Sequence, residues 1–204
     1  MRVLTFASLK GGTGKTTLAA HIAVKAAMDG ERVVVIDLDA QANLAEWFND
    51  REAETPDYAR CDLDRLHDAV KTLSGGNYTL AVIDTPASDV AALRAALGVS
   101  DAVLMPVQPS PNDLRAAPAT MREIEGSGKP FALVLSRRVA RTRISEDAII
   151  ALGNIGTVCP VVIGSRTAYA AAMIDGRTAQ EIEPTGPAAE EVSNLWKFAK
   201  GMLK

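Results

Sequence analysis

The 204-residue chain is 48% hydrophobic, enough to bury one sizeable core, so a single domain spanning residues 1–204 is expected. Its formal net charge of −3 excludes a global positive field that would draw it to nucleic acid or anionic lipid and leaves only a local basic patch for such a contact. Two cysteines and two histidines, Cys61, Cys159, His21 and His67, lack metal-type spacing. No disulfide framework or zinc site is therefore expected, and both thiols read as structural.

The chain starts directly on an apolar strand pattern, residues 2–7, with no basic-then-apolar leader, and it has no uninterrupted apolar run of about eighteen residues. The cytoplasm is the expected location. A glycine-rich loop, KGGTGKTT at 10–17, leads into an alanine-rich helical stretch, 16–29, that stops at Asp29-Gly30. Residues 32–39 are a second β-branched run. The polar, proline-containing stretch 49–60 reads as a surface connection, and 62–73 as a helix ending near Gly75-Gly76. Strand patterns follow at 78–85, 102–107, 131–136 and 158–163, and helix patterns at 88–97, 112–125 and 145–152. Pro160 removes a ladder donor and pushes the last strand towards an edge or shortens it. Alternating strand and helix predicts an α/β fold, a mostly parallel sheet with helices on both faces.

Strand, glycine-rich loop, helix is the context of a phosphate-binding loop, where successive backbone N–H groups and a helix N-terminus form an anion cradle. Gly11, Gly12 and Gly14 let the backbone turn around phosphate oxygens, with Thr13 and Thr17 in the same loop. Lys15 would reach the β- and γ-phosphates, and the Thr16 hydroxyl would ligate Mg²⁺. A dinucleotide site fails on spacing, because the third glycine of G-x-G-x-x-G would fall on Thr17. Strand alternation directs Asp37 and Asp39, at the end of the second strand, to one side, where a parallel sheet opens on its ligand crevice. Asp84 ends the third long apolar run, where a carboxylate can hold Mg²⁺ through a coordinated water opposite Thr16.

The general phosphate-loop pattern asks for glycine at position 9, where this chain has Leu9, and it carries a second lysine, Lys10. In this the stretch resembles the deviant Walker A loop of the ParA/MinD family of P-loop ATPases. The resemblance implies that Lys10 reaches across a two-fold interface to the nucleotide of the partner subunit, so that ATP drives homodimerisation and hydrolysis is linked to it. DLDAQ, with Ala40 where the family's motif usually has proline, resembles the Walker A′ segment; by that likeness Asp39 positions the attacking water and Asp37 supports Mg²⁺. LAVIDTP resembles the Walker B strand, followed by a γ-phosphate-sensing loop. MPVQPSPNDLRAA, residues 105–117, resembles the proline-rich segment of small partition ParA proteins. Arg137 falls near the expected adenine site, with Ser136 where many relatives have asparagine. ATP rather than GTP is implied by the family.

Three destinations share such a core. The first is non-specific DNA binding by the ATP dimer, used to segregate or position a plasmid, a chromosome region or a protein cluster, with a ParB-like or equivalent partner stimulating hydrolysis. Arg141, Arg143, Arg166, Lys197 and Lys200 are the candidate DNA contacts, and the protein would be nucleoid-associated. No room precedes the first strand for an operator-reading helix-turn-helix domain, so specific operator recognition is not expected. The second is a membrane, as in the MinD branch: Val192, Leu195, Trp196, Ala199 and Leu203 recur at helical spacing, a pattern that fits packing on the sheet better than insertion. The third is a metabolic P-loop enzyme, which would not generally require Lys10 in trans.

Overall fold

The computed structural model describes residues 1–203. Six parallel strands, β1 (Arg2–Phe6), β2 (Val33–Asp37), β3 (Asp57–Arg60), β4 (Leu80–Asp84), β5 (Ala102–Val107) and β6 (Phe131–Leu135), form one sheet in the order β3-β2-β4-β1-β5-β6. From β1 the chain winds outward through β2 and β3, returns to β4, then crosses to β5 and β6. The direction of winding reverses at β1, which creates a crevice at the carboxyl ends of the central strands. Register sharpens this geometry. Phe6 and Asp37 both pair with Asp84, so the loops leaving β1, β2 and β4 start at one level.

Strand residues alternate between two apolar layers, as the two-residue period of a strand requires. Leu4, Phe6, Val33, Val35 and Val82 face α1 (Lys15–Met28), α2 (Asn43–Asn49) and α9 (Pro187–Met202), while Val3, Val34, Ile36, Val103 and Leu133 face α3 (Leu66–Gly75), α4 (Val90–Val99), α5 (Pro111–Gly126) and α6 (Arg143–Gly153). Alanines in α1 allow the helix to lie close against both the sheet and α9, burying Ala19, Ala20, Ala23 and Ala26 completely. Pro187 at the first turn of α9 has no N–H to leave unpaired there. Val192, Leu195, Trp196, Ala199 and Leu203 are all buried in the layer under α1. The apolar face of the C-terminal helix is thus core, and none of the described helices is long and apolar enough to cross a membrane.

The sequence reading needs correction at the two sheet edges. The polar stretch 49–60 ends in β3, which pairs with β2 from Asp57 to Arg60. An edge strand needs no continuous apolar run, and here Tyr58, stacked on Phe48 at 5.2 Å, packs on one layer and Ala59 on the other. Residues 158–163 are not a strand of the sheet. They follow β6 through a bridge between Leu133 and Val158 and through bonds from Cys159 N–H to the Leu133 carbonyl and from Ile163 N–H to the Leu135 carbonyl. Pro160, lacking a donor, sits where a continuous ladder would have formed. Three short helices also escaped the periodicity: α2, α7 (Thr167–Ala172) and α8 (Ala179–Ile182), each too brief to show a 3.6-residue repeat.

Candidate nucleotide site

Gly14, with φ of 99°, ends the loop after β1 and turns the chain into α1 without any side-chain cap. The first-turn N–H groups of α1 are therefore left for a ligand. The loop borders a cleft of about 350 Å³ lined by Gly11, Gly12, Gly14, Lys15, Thr16, Thr17, Asp39 and Arg137, together with Gln41, Asn43 and Ala87. Every loop residue expected to bind phosphate lines this cleft except Thr13, buried behind it, and Lys10, on its exposed rim. An adjoining cavity of about 590 Å³ shares Gly14, Thr17 and Arg137 and runs past Ser136 to Ile163, Thr167 and Tyr169. A wider groove of about 800 Å³ between α9 and residues 160–162 contains no residue of these motifs.

Lys15 is 7% exposed, and burial lowers its pKa from the ordinary ammonium value against the opposing pull of Asp84 and Asp39. Its Nζ donates to the Lys10 carbonyl at 3.4 Å. The Thr16 hydroxyl donates to Asp84 Oδ2 at 2.5 Å. Burial raises the Asp84 carboxyl to about 7, more than Thr16 and Lys15 counteract. Its Oδ1 is buried without a hydrogen-bond partner among the described residues. A hydroxyl beside an unsatisfied carboxylate oxygen fits Mg²⁺, which takes few protein ligands and completes its octahedron with phosphate oxygens and water. No cluster of three or more His, Cys, Asp or Glu suited to a metal occurs among the described residues.

The two aspartates after β2 separate in role. Asp37 is 3% exposed and accepts from Asp39 N–H at 2.9 Å and Ala45 N–H at 3.3 Å, so both its oxygens shape the turn that launches α2. Burial raises its pKa. Asp39 lines the cleft with one oxygen bonded to Gln41 N–H at 2.9 Å. The loop after β4 is pinned to the phosphate loop by Ser88, whose N–H and hydroxyl both donate to the Leu9 carbonyl, at 3.0 and 3.3 Å.

A family model, the CobQ/CobB/MinD/ParA nucleotide binding domain, matches residues 4–146. The chain belongs to that family. This MinD/ParA-type chain is 31% identical over 206 residues to the maintenance of carboxysome distribution protein A of Halothiobacillus neapolitanus, covering 94% of this chain and 93% of the relative. Among solved structures it is similar to the septum site-determining protein MinD complexed with Mg-ADP from Pyrococcus horikoshii OT3, with a TM-score of 0.81 at 19% identity over 97% of this chain and 95% of that one. It is also similar to apo McdA of Cyanthece, with a TM-score of 0.78 at 20% identity over the full length of both.

In this MinD/ParA-type fold the basic residues singled out from sequence differ in their surroundings. Arg141 and Arg143 follow β6 at the carboxyl edge of the sheet, on the side of the nucleotide cleft, and both are exposed. Lys200 instead pairs at 3.0 Å with Glu31, which also binds Arg2 at 2.8 Å, at the amino edge where β1 and β2 begin. Arg166 donates to Glu191 from Nε at 2.9 Å and from Nη2 at 2.7 Å, which neutralises it locally. Lys197 is exposed beside the groove along α9. Sequence reasoning listed neither Gln108 nor Ser136 as site residues. Gln108 Nε2 donates to the Gly12 carbonyl, and Ser136 Oγ donates to the Thr13 carbonyl at 2.8 Å; resemblance placed Gln108 in the proline-rich segment and Ser136 near the base, but neither likeness pointed to a bond with the loop.

Both thiols are free. Cys159 is buried and pushed up to about 11 by that burial, and no disulfide joins it to the half-buried Cys61.

Proposed function

We propose that the chain is a Mg²⁺-dependent ATPase of the positioning type, whose ATP-bound dimer holds DNA of arbitrary sequence and releases it after hydrolysis stimulated by a partner protein. The observation that carries this reading is the contrast between the loop's two lysines: Lys15 is buried inside the cradle, whereas Lys10 is exposed on the rim and makes no ion pair among the described residues. An exposed ammonium group with no ion pair in its own subunit is available to the phosphates of a second copy facing it. Two triphosphate-loaded subunits repel one another unless such cations intervene.

In this reading the loop N–H groups and Lys15 bind the β- and γ-phosphates. Thr16 and Asp84 would hold Mg²⁺, with Asp37 stiffening the turn beside them; the ion would neutralise charge on the phosphate oxygens. Asp39, free at one oxygen on the cleft wall, orients the attacking water, and Lys10 of the facing subunit stabilises charge developing as the γ-phosphate leaves. Arg137 and the cavity towards Tyr169 accommodate the base. DNA contact falls to Arg141 and Arg143, the exposed arginines on the nucleotide side, with Lys197 in reserve. The carboxysome-distribution relative supports a protein assembly as cargo. Because the apolar face of α9 is committed to the core, the membrane branch of the family is a poorer fit.

The test is a DNA shift assay with long duplexes of unrelated sequence. Mg-ATP should retard all of them, with affinity falling steeply as salt rises, while ADP should not. Binding to anionic liposomes with ATP and to no DNA at low salt would overturn the DNA reading.

A further inference from the structure

We infer that Gln108 and Ser136 are positioning residues of the phosphate cradle, aiming its N–H groups by holding the loop's carbonyls from behind; this rests on the nucleotide-binding reading above. In a planar trans peptide the carbonyl of one residue and the N–H of the next point in opposite directions. Fixing the Gly12 carbonyl on Gln108 therefore fixes the Thr13 N–H on the opposite side, and fixing the Thr13 carbonyl on Ser136 does the same for the Gly14 N–H. Lys15 treats the Lys10 carbonyl, and so the Gly11 N–H, in the same way. The pattern is one-sided. Carbonyls at Leu9, Lys10, Gly12 and Thr13 have donors, whereas the N–H groups from Gly11 to Thr16 have no acceptor among the described residues.

Such orientation must come from outside the loop. Gly12 and Gly14 adopt φ of 78° and 99°, conformations glycine enters and leaves freely, so the intervening peptide planes can rotate unless restrained. Both restraining side chains stand on fixed backbone. Gln108 N–H is bonded to Asp113 in the first turn of α5 at 3.2 Å, and Ser136 N–H to the Val107 carbonyl at 2.9 Å. Ser136 is 1% exposed, and its hydroxyl is spent on the loop, not on the base. A preset cradle loses less freedom when the nucleotide arrives, which raises affinity without any new contact to it.

The experiment measures MgADP affinity by titration calorimetry for the full chain, for Gln108→Met and Ser136→Ala, and for Lys15→Ala as control. Methionine keeps most of the glutamine's bulk and removes the donor. Each of the two variants should raise the Kd about three- to tenfold, with an unchanged melting temperature for nucleotide-free Gln108→Met. In ATP turnover KM should rise more than kcat falls. Wild-type affinity in both variants, with binding lost in Lys15→Ala, would overturn the inference and leave the nucleotide site standing. A fall in nucleotide-free melting temperature matching the loss of affinity in Gln108→Met would also overturn it, as general packing. No MgADP binding by the parent chain would overturn the site itself.

Discussion

His21 lies one turn beyond the phosphate loop on α1 and is completely buried. Its Nδ1–H donates to the Thr17 carbonyl at 2.7 Å, and its Nε2 accepts from Ala179 N–H at 3.0 Å, with the Tyr169 ring edge-on at 5.1 Å. Burial lowers its pKa from 6.5 to about 4, against smaller opposing contributions from Thr17 and Glu181. A proton on Nε2 would set a donor against the Ala179 donor. Above the unfolded value the ring is neutral in both states and costs nothing. Between about pH 6.5 and about pH 4 the unfolded chain takes up a proton that the folded chain refuses, so stability is lost as pH falls through this window. The shift sets a ceiling of about 3 kcal/mol, of which about 2 kcal/mol is lost between about pH 7.5 and about pH 5. For a chain of this size that is about 4–8 °C in melting temperature. Carboxylates titrate over the same range, so the reading compares wild type with His21→Gln, which keeps an acceptor near Ala179 and has no titration. The melting temperature of the variant should fall less than that of wild type by that amount over the same interval. Parallel curves would refute the assignment.

Two further changes probe other parts of the molecule. Asp39→Ala should preserve ATP-dependent dimers while slowing phosphate release by about 100-fold or more; unchanged turnover would remove Asp39 from water positioning. Arg51→Met should cost about 3 kcal/mol or more in urea unfolding, because the guanidinium joins the chain just after α2 to Glu181 of α8, at 2.7 and 3.0 Å, and to the Gly176 carbonyl before α8, at 2.7 Å. Removing Glu181 as well, in Arg51→Met/Glu181→Gln, should recover part of that loss.

The central strands and the phosphate loop were legible because their physics is local. A strand buried on both faces must be continuously apolar, and a loop that wraps phosphate must carry glycine and lysine at fixed offsets. β3 and residues 158–163 were misread because edge pairing depends on a neighbouring strand, which the segment's own composition does not record. Ser136 shows the same limit at the site: its position beside the base was legible from resemblance, but its bond to the Thr13 carbonyl joins residues far apart in sequence. The surroundings of Lys200 and Arg166 were illegible for that reason too, since Glu31 and Glu191, which engage them, come from distant segments.

The most direct test of the account is the mass in solution of wild type and Lys10→Ala with Mg-ATP and with Mg-ADP. The account predicts a dimer only for wild type with ATP, and a monomer for Lys10→Ala that still binds ATP through Lys15. An ATP-dependent Lys10→Ala dimer as stable as that of the parent would contradict it.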